Sequence, residues 1–292
     1  MSRFPRPGTG IAAPAVMVAS GLSLYAGAAV AVGLFDVLPP IIVAWFRISS
    51  AAVILLVLVR PGVRAFLGRD GAQAAIYGIA TMGMNMSFYE AIARLPLGTA
   101  VAVEFLGPVL VAAIGSRSIR DWLGLLLATI GVVVISGAVW STSALGLFFA
   151  LLAGGLWAVY IVVGSRVVGG TANPRKSMTV GFSIAAVIAL PLIVALWPDD
   201  VAMPGTQLLG LALGLGVLSA IIPYSLDQVV MKMAGPSYFA LLQALLPVVA
   251  ALLGAIALQQ WLSGAELVGI ALVVAAVAIV RQPVPKPDDP LV

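Results

Sequence analysis

Long uninterrupted apolar runs alternate with short polar connections along the chain. The runs fall at about 12–34, 39–59, 71–93, 96–115, 122–139, 144–165, 177–197, 206–230, 236–258 and 264–281. A helix needs about 20 mostly apolar residues to cross the hydrocarbon core of a bilayer, and each run is of that order. The pattern predicts an all-α integral membrane protein with ten transmembrane helices. Strand-built membrane barrels are excluded, because they require alternating rather than continuous apolar positions. The connections leave no room for a soluble domain between spans.

Composition agrees with this pattern. Of the 292 residues, 62% are hydrophobic and only 9% charged, and the mean hydropathy is +1.16. A soluble domain carries roughly 25% charged residues, so this chain cannot cover a water-facing surface. The absence of cysteine and histidine removes disulfides, thiol nucleophiles, the usual zinc sites and histidine acid–base chemistry. No cofactor and no metal is expected.

The charges orient the chain. With a cytoplasmic N-terminus, one side holds Arg3, Arg6, Arg60, Arg64, Arg69, Arg117, Arg120, Arg166, Arg175, Lys176, Lys232, Arg281 and Lys286, and the other holds Arg94 alone, with Arg47 inside a span. Asp36, Asp199 and Asp200 fall in the opposite, outer connections. This is the positive-inside pattern, and it predicts an inner-membrane protein with both termini cytoplasmic. The net charge of +4 is read as membrane-orienting rather than as a nucleic-acid surface. Arg3 and Arg6 before the first run resemble the start of a signal peptide, but that run is long for one and is read as span one.

An offset of 139 residues places Glu104 on Gln243, Pro108 on Pro247, Gly115 on Gly254, and Trp122-Leu123 on Trp261-Leu262. It maps spans four and five onto nine and ten, which predicts two five-helix repeats, 1–141 and 142–292. Five is odd, so the second repeat is inverted relative to the first. Inverted repeats mark secondary transporters, with the substrate bound between the halves near the midplane.

The stretch from Tyr77 to Pro108 carries Met84-Asn85, Phe88-Tyr89, Pro96-Leu97-Gly98 and Glu104-Phe105-Leu106-Gly107-Pro108. With 157-WAVYIVVGSR-166 and 223-PYSLDQVVMKM-233, it resembles the bacterial threonine/homoserine exporters of the drug/metabolite transporter superfamily. The similarity runs from about residue 20 to 280. It implies ten helices in two inverted halves and export of threonine/homoserine-like, neutral or aromatic amino acids. Where family members often carry Glu-Pro in span nine, this chain has Leu246-Pro247, so a second acid is missing there. A broad drug or metabolite efflux carrier of the same fold is the alternative.

Polar groups at membrane depth are expensive and ask for a partner or a cavity. Arg47 and Glu104 each lie about eight residues in from the outer face, roughly 12 Å deep. They are candidates for a helix clamp or for the two poles of a site for a zwitterion, which needs a donor for its carboxylate and an acceptor for its ammonium. Glu90 and Arg94, four apart, suit a rim ion pair. Asn85 and Tyr89 share a face of span three, Trp157 and Tyr160 sit together in span six, Tyr224 follows Pro223, and Gln243 precedes Pro247. These residues, with Arg47 and Glu104, form the candidate substrate-binding set. Glu104 and Asp227 are candidates for gating or proton transfer.

The expected partners are a small-molecule substrate and the lipid bilayer, with no nucleic acid, in a monomer or homodimer. An intramembrane enzyme would need paired aspartates or a Ser–Lys arrangement within the spans. Only Asp227 among the aspartates lies inside a span, and no lysine lies mid-span.

Overall fold

The computed structural model describes residues 9–115, 119–170, 174–201, 203–223, 225–227, 229–230 and 242–279. Every regular element among them is helical: α1 (Thr9–Val32), α2 (Pro40–Val59), a short 3₁₀ turn at Val63–Phe66, α3 (Gly68–Ile92), α4 (Leu97–Glu104), α5 (Leu106–Gly115), α6 (Ile119–Gly170), α7 (Pro174–Ala195), α8 (Gly205–Gly216) running into a π-turn at Val217–Ile221, a 3₁₀ turn at Gln243–Leu245, α9 (Leu246–Ala257) and α10 (Gly264–Ile279). Five stretches are long and apolar enough to cross a membrane: Ala12–Val32, Pro40–Val59, Ser143–Val163, Arg175–Ala195 and Gly205–Asp227. Shorter apolar helices cover Leu97–Val111, Trp122–Val134, Leu246–Ala257 and Gly264–Ala276.

α3 is long enough to span but stands outside that set of five. It carries Thr81, Asn85, Ser87, Tyr89 and Glu90, all buried. The helix is shielded by its neighbours rather than by its own apolarity.

The helices depart from straight rods where proline or chain reversal requires it. α6 looks continuous, but Ser143 at φ −157°, ψ 71° is not helical and divides it into two limbs. The expected single span at 96–115 breaks at Phe105, between α4 and α5. Pro108 lacks the N–H that would have bonded to the Glu104 carbonyl, so the ladder is already short of a donor there. Gln243–Leu245 narrows to a 3₁₀ turn four residues before Pro247, for the same reason.

Small residues let backbones meet. A Cβ at Gly78 in α3 would run into the Gly181 carbonyl of α7, and one at Gly107 in α5 would strike the Gly154 carbonyl in the second limb of α6. Close contact of this kind is a main source of cohesion between helices in lipid, where the hydrophobic effect is weak. Gly78→Ala is expected to cost about 1–3 kcal/mol by overpacking. Gly155→Ala, with open space in front of it, should be neutral or slightly stabilising. Thermal unfolding of the two purified variants in detergent checks the contrast.

Polar ties hold the ends of the bundle. Ser263 caps α10 in a reciprocal box: its N–H and hydroxyl donate to Glu266 at 2.9 and 2.8 Å, and the Glu266 N–H donates back to Ser263 Oγ at 3.3 Å. Thr99 Oγ1 donates to the same buried carboxylate at 2.6 Å, and Leu97 N–H donates to Gln260 Oε1 at 2.9 Å. The start of α4 is thereby fixed to the α9–α10 connection. Trp45 Nε1 donates to the Ala186 carbonyl at 2.9 Å, tying α2 to α7.

Candidate functional site

Pro223 builds the first part of the site by what it lacks. In a regular helix its N–H would bond to the Ser219 carbonyl, and in a π-turn to the Leu218 carbonyl. The chain uses the π pattern here, since Ile222 N–H bonds to the Val217 carbonyl. The carbonyls of Leu218 and Ser219 are left without those helical donors. Side chains from other helices take them up. Ser23 Oγ of α1 donates to the Leu218 carbonyl at 2.6 Å, and Arg47 Nη2 of α2 donates to the Ser219 carbonyl at 2.7 Å. Freed backbone at membrane depth is tolerated only where such partners or a cavity exist.

Arg47 is only 5% exposed. Its guanidinium lies over the ring of Tyr89, 5.8 Å from the centroid. Tyr89 is fully buried in α3 and meets Phe35 edge-on at 5.9 Å. Glu104, at the end of α4, is 7% exposed, and its backbone is pressed against Gly154. The Glu104 carboxylate has no hydrogen bond or ion pair among the described residues, and the ion pair seen there is Glu90–Arg94. Glu104 and Arg47 nevertheless lie within electrostatic reach of one another. Tyr25 of α1, also buried, lies within reach of both and of Asp227.

Arg47, Tyr89 and Glu104, singled out from depth and spacing, thus occupy one neighbourhood where α1, α2, α3, α4 and the π-turn converge. Of the two possibilities for this pair, a direct ion-paired clamp does not form. Arg47 is drawn to the carbonyl that Pro223 frees, and Glu104 stays unpaired among the described residues.

The other candidates spread outward from this centre. Trp157 packs edge-on against Phe105 at 4.9 Å, beside Glu104 in sequence. Tyr160 pairs with Tyr77 across α3 and α6, with Oη atoms 3.2 Å apart and rings at 5.0 Å. Asn85 is buried, and its Nδ2 donates to the Thr81 carbonyl at 2.7 Å on its own helix. Asp227 accepts from Ser20 Oγ at 2.6 Å, which ties the turn after Pro223 to α1. Gln243 is half-buried at the 3₁₀ turn. Tyr224, and Lys232 near Asp227, lie outside the described residues.

Glu90 and Arg94 form the expected rim ion pair. Arg94 also donates to the Glu90 carbonyl at 2.7 Å and stacks over Phe149 at 5.5 Å. Sequence reasoning missed Tyr25, Ser20, Ser23 and Ser219. One signal was present for the last: it stands four residues before a proline inside a span, so its carbonyl needs an outside donor.

The profile of the EamA-like transporter family matches residues 144–282. The chain is 32% identical over 264 residues to the threonine/homoserine exporter RhtA of Salmonella typhimurium strain LT2. It is 31% identical over 264 residues to the threonine/homoserine exporter RhtA of Escherichia coli K12. Each alignment covers 89% of this chain and 88% of the relative. A solved crystal structure of a protein 21% identical to the chain superposes with a TM-score of 0.61, covering 92% of this chain and 96% of that one, which shows a shared fold.

Proposed function

Since the chain belongs to the EamA-like family of drug/metabolite transporters and is therefore a membrane exporter, we propose that its cargo is amino acids carried out of the cytoplasm. The cargo class is threonine/homoserine-like, neutral or aromatic. The observation that carries this reading is the pair of opposite buried charges, Arg47 and Glu104, within electrostatic reach but without an ion pair between them. Two buried groups of opposite charge that make no ion pair with one another are costly in lipid, and a ligand that completes both lowers that cost. A zwitterion does so, with its carboxylate on the guanidinium and its ammonium on the carboxylate. The curated relatives named as threonine/homoserine exporters fit the same cargo.

The mechanism we infer is alternating access between two inverted five-helix halves, 1–141 and 142–292, in ten spans with both termini cytoplasmic. Three features support it. The chain is irregular at Phe105 and at Gln243–Leu245, positions that the 139-residue offset pairs. The helical path also breaks at Ser143, next to the boundary between the halves. Finally, the π-turn and Pro223 make the 205–227 segment irregular where side chains tie it to α1 and α2. Proton antiport through Glu104 is the coupling this site would permit.

The test is uptake of radiolabelled threonine, methionine and phenylalanine into proteoliposomes of the purified protein, each with and without an imposed pH gradient. Saturable uptake of at least one is expected, driven further by the gradient. Uptake indifferent to the gradient would remove antiport and leave facilitated export. No uptake by folded protein, with quaternary amines carried instead, would replace the amino-acid reading with that of a drug carrier.

A further inference from the structure

Four buried side-chain atoms lack a hydrogen-bond partner among the described residues: Arg47 Nε, Ser49 Oγ, Tyr89 Oη and Ser219 Oγ. Buried polar groups are ordinarily satisfied, so each orphan asks for a reason. Three of the four belong to residues tied to one another. Arg47 lies over the Tyr89 ring and bonds to the Ser219 backbone carbonyl. They come from α2, α3 and the π-turn, and all three are at most 5% exposed. Ser219 Oγ stands against Gly27 of α1, where any Cβ would strike that hydroxyl, so only glycine leaves the hydroxyl its place. Orphans scattered through a core would be packing faults. Three on separate elements, each belonging to Arg47 or to a residue that touches its guanidinium, have the character of a lining.

The three atoms share a chemistry. Arg47 Nε–H, Tyr89 O–H and Ser219 O–H all donate, and a fixed positive charge stands among them. Such a set suits two oxygens sharing one negative charge. A phosphate dianion would ask for a second cation and would sit badly within reach of the Glu104 carboxylate.

We propose that Arg47 Nε, Tyr89 Oη and Ser219 Oγ form a half-site for the cargo's carboxylate, so the transported species must carry that carboxylate free. Amino-acid amides, esters and simple amines are poor cargo. This rests on the amino-acid reading of the same site and adds Ser219, together with the demand for a free carboxylate, to it.

The experiment is counterflow of radiolabelled threonine in proteoliposomes of the full chain, with unlabelled threonine, threonine amide and threonine methyl ester as competitors. Tyr89→Phe and Ser219→Ala are measured beside wild type. Each substitution deletes one hydroxyl that makes no bond among the described residues, so the melting temperature should stay level or rise. KM for threonine should rise about tenfold in each, the equivalent of one lost hydrogen bond of roughly 1.4 kcal/mol. In wild type the amide and ester should need at least about tenfold higher concentration to compete. Equal competition by the amide, or unchanged KM in both variants, would overturn the half-site while leaving amino-acid export intact. Absence of any threonine, methionine or phenylalanine flux in wild type would overturn both.

Discussion

Arg47→Met protein is expected to fold and insert normally yet to lose transport by about 100-fold or more. Two opposing terms act on its stability. The hydrogen bond from Nη2 to the Ser219 carbonyl, 2.7 Å long, is charge-assisted and worth roughly 1.5–3 kcal/mol. Its loss orphans a carbonyl that Pro223 already leaves without a helical donor. Against this, methionine relieves the desolvation of a guanidinium that is 5% exposed, a penalty of several kcal/mol for an unpaired ion. It also removes the unpartnered Nε. The terms nearly offset, so the melting temperature should move little. Transport has no such compensation. Deleting one member of a buried charge pair with the cargo costs about 2–5 kcal/mol. Initial rates in proteoliposomes, read beside a detergent melt, separate the two effects.

Glu104→Gln is expected to cut flux by a similar factor while raising the melting temperature by a few degrees. The carboxylate has no hydrogen bond or ion pair among the described residues, so only the longer-range charge of Arg47 offsets the cost of burying it. The amide keeps the shape, and the close approach to Gly154 is made by the Glu104 backbone, which the substitution leaves alone. What changes is the acceptor for an ammonium group: the amide cannot carry the charge, and half of its polar end donates. A stabilised protein that no longer transports is the signature of a functional rather than a structural charge. Normal flux would take Glu104 out of the site and remove any proton step through it.

Much of the architecture was legible because lipid imposes a length rule. Apolar runs read at 12–34, 39–59, 144–165, 177–197 and 206–230 coincide with the five stretches long and apolar enough to span. α3 was legible as a helix, but its buried polar residues lower its hydropathy, and only packing against other helices explains how they are accommodated. The break at Phe105 and the π-turn lay beyond hydropathy. Both follow from prolines whose missing N–H groups act four or five residues upstream.

The site divides in the same way. Depth counting brought Arg47 and Glu104 to one level, and helical spacing put Asn85 and Tyr89 on one face. Pro223 signals that the Ser219 carbonyl needs a donor, but nothing in the sequence says that Arg47, 172 residues away, supplies it. Ser219 and Tyr25 were passed over because a lone serine or tyrosine in an apolar run usually only packs. Their significance comes from the neighbours that folding supplies.

The claim that one central site is opened to each side in turn is tested most directly by accessibility. The chain contains no cysteine, so Asn85→Cys, at a buried position in α3, introduces a single reactive thiol. Purified protein in vesicles of known orientation is treated with a charged, membrane-impermeant methanethiosulfonate reagent from one side or the other. The expected result is labelling from both sides, slowed from both by threonine. Labelling from one side only, or labelling that threonine leaves unchanged, would contradict an alternating central site.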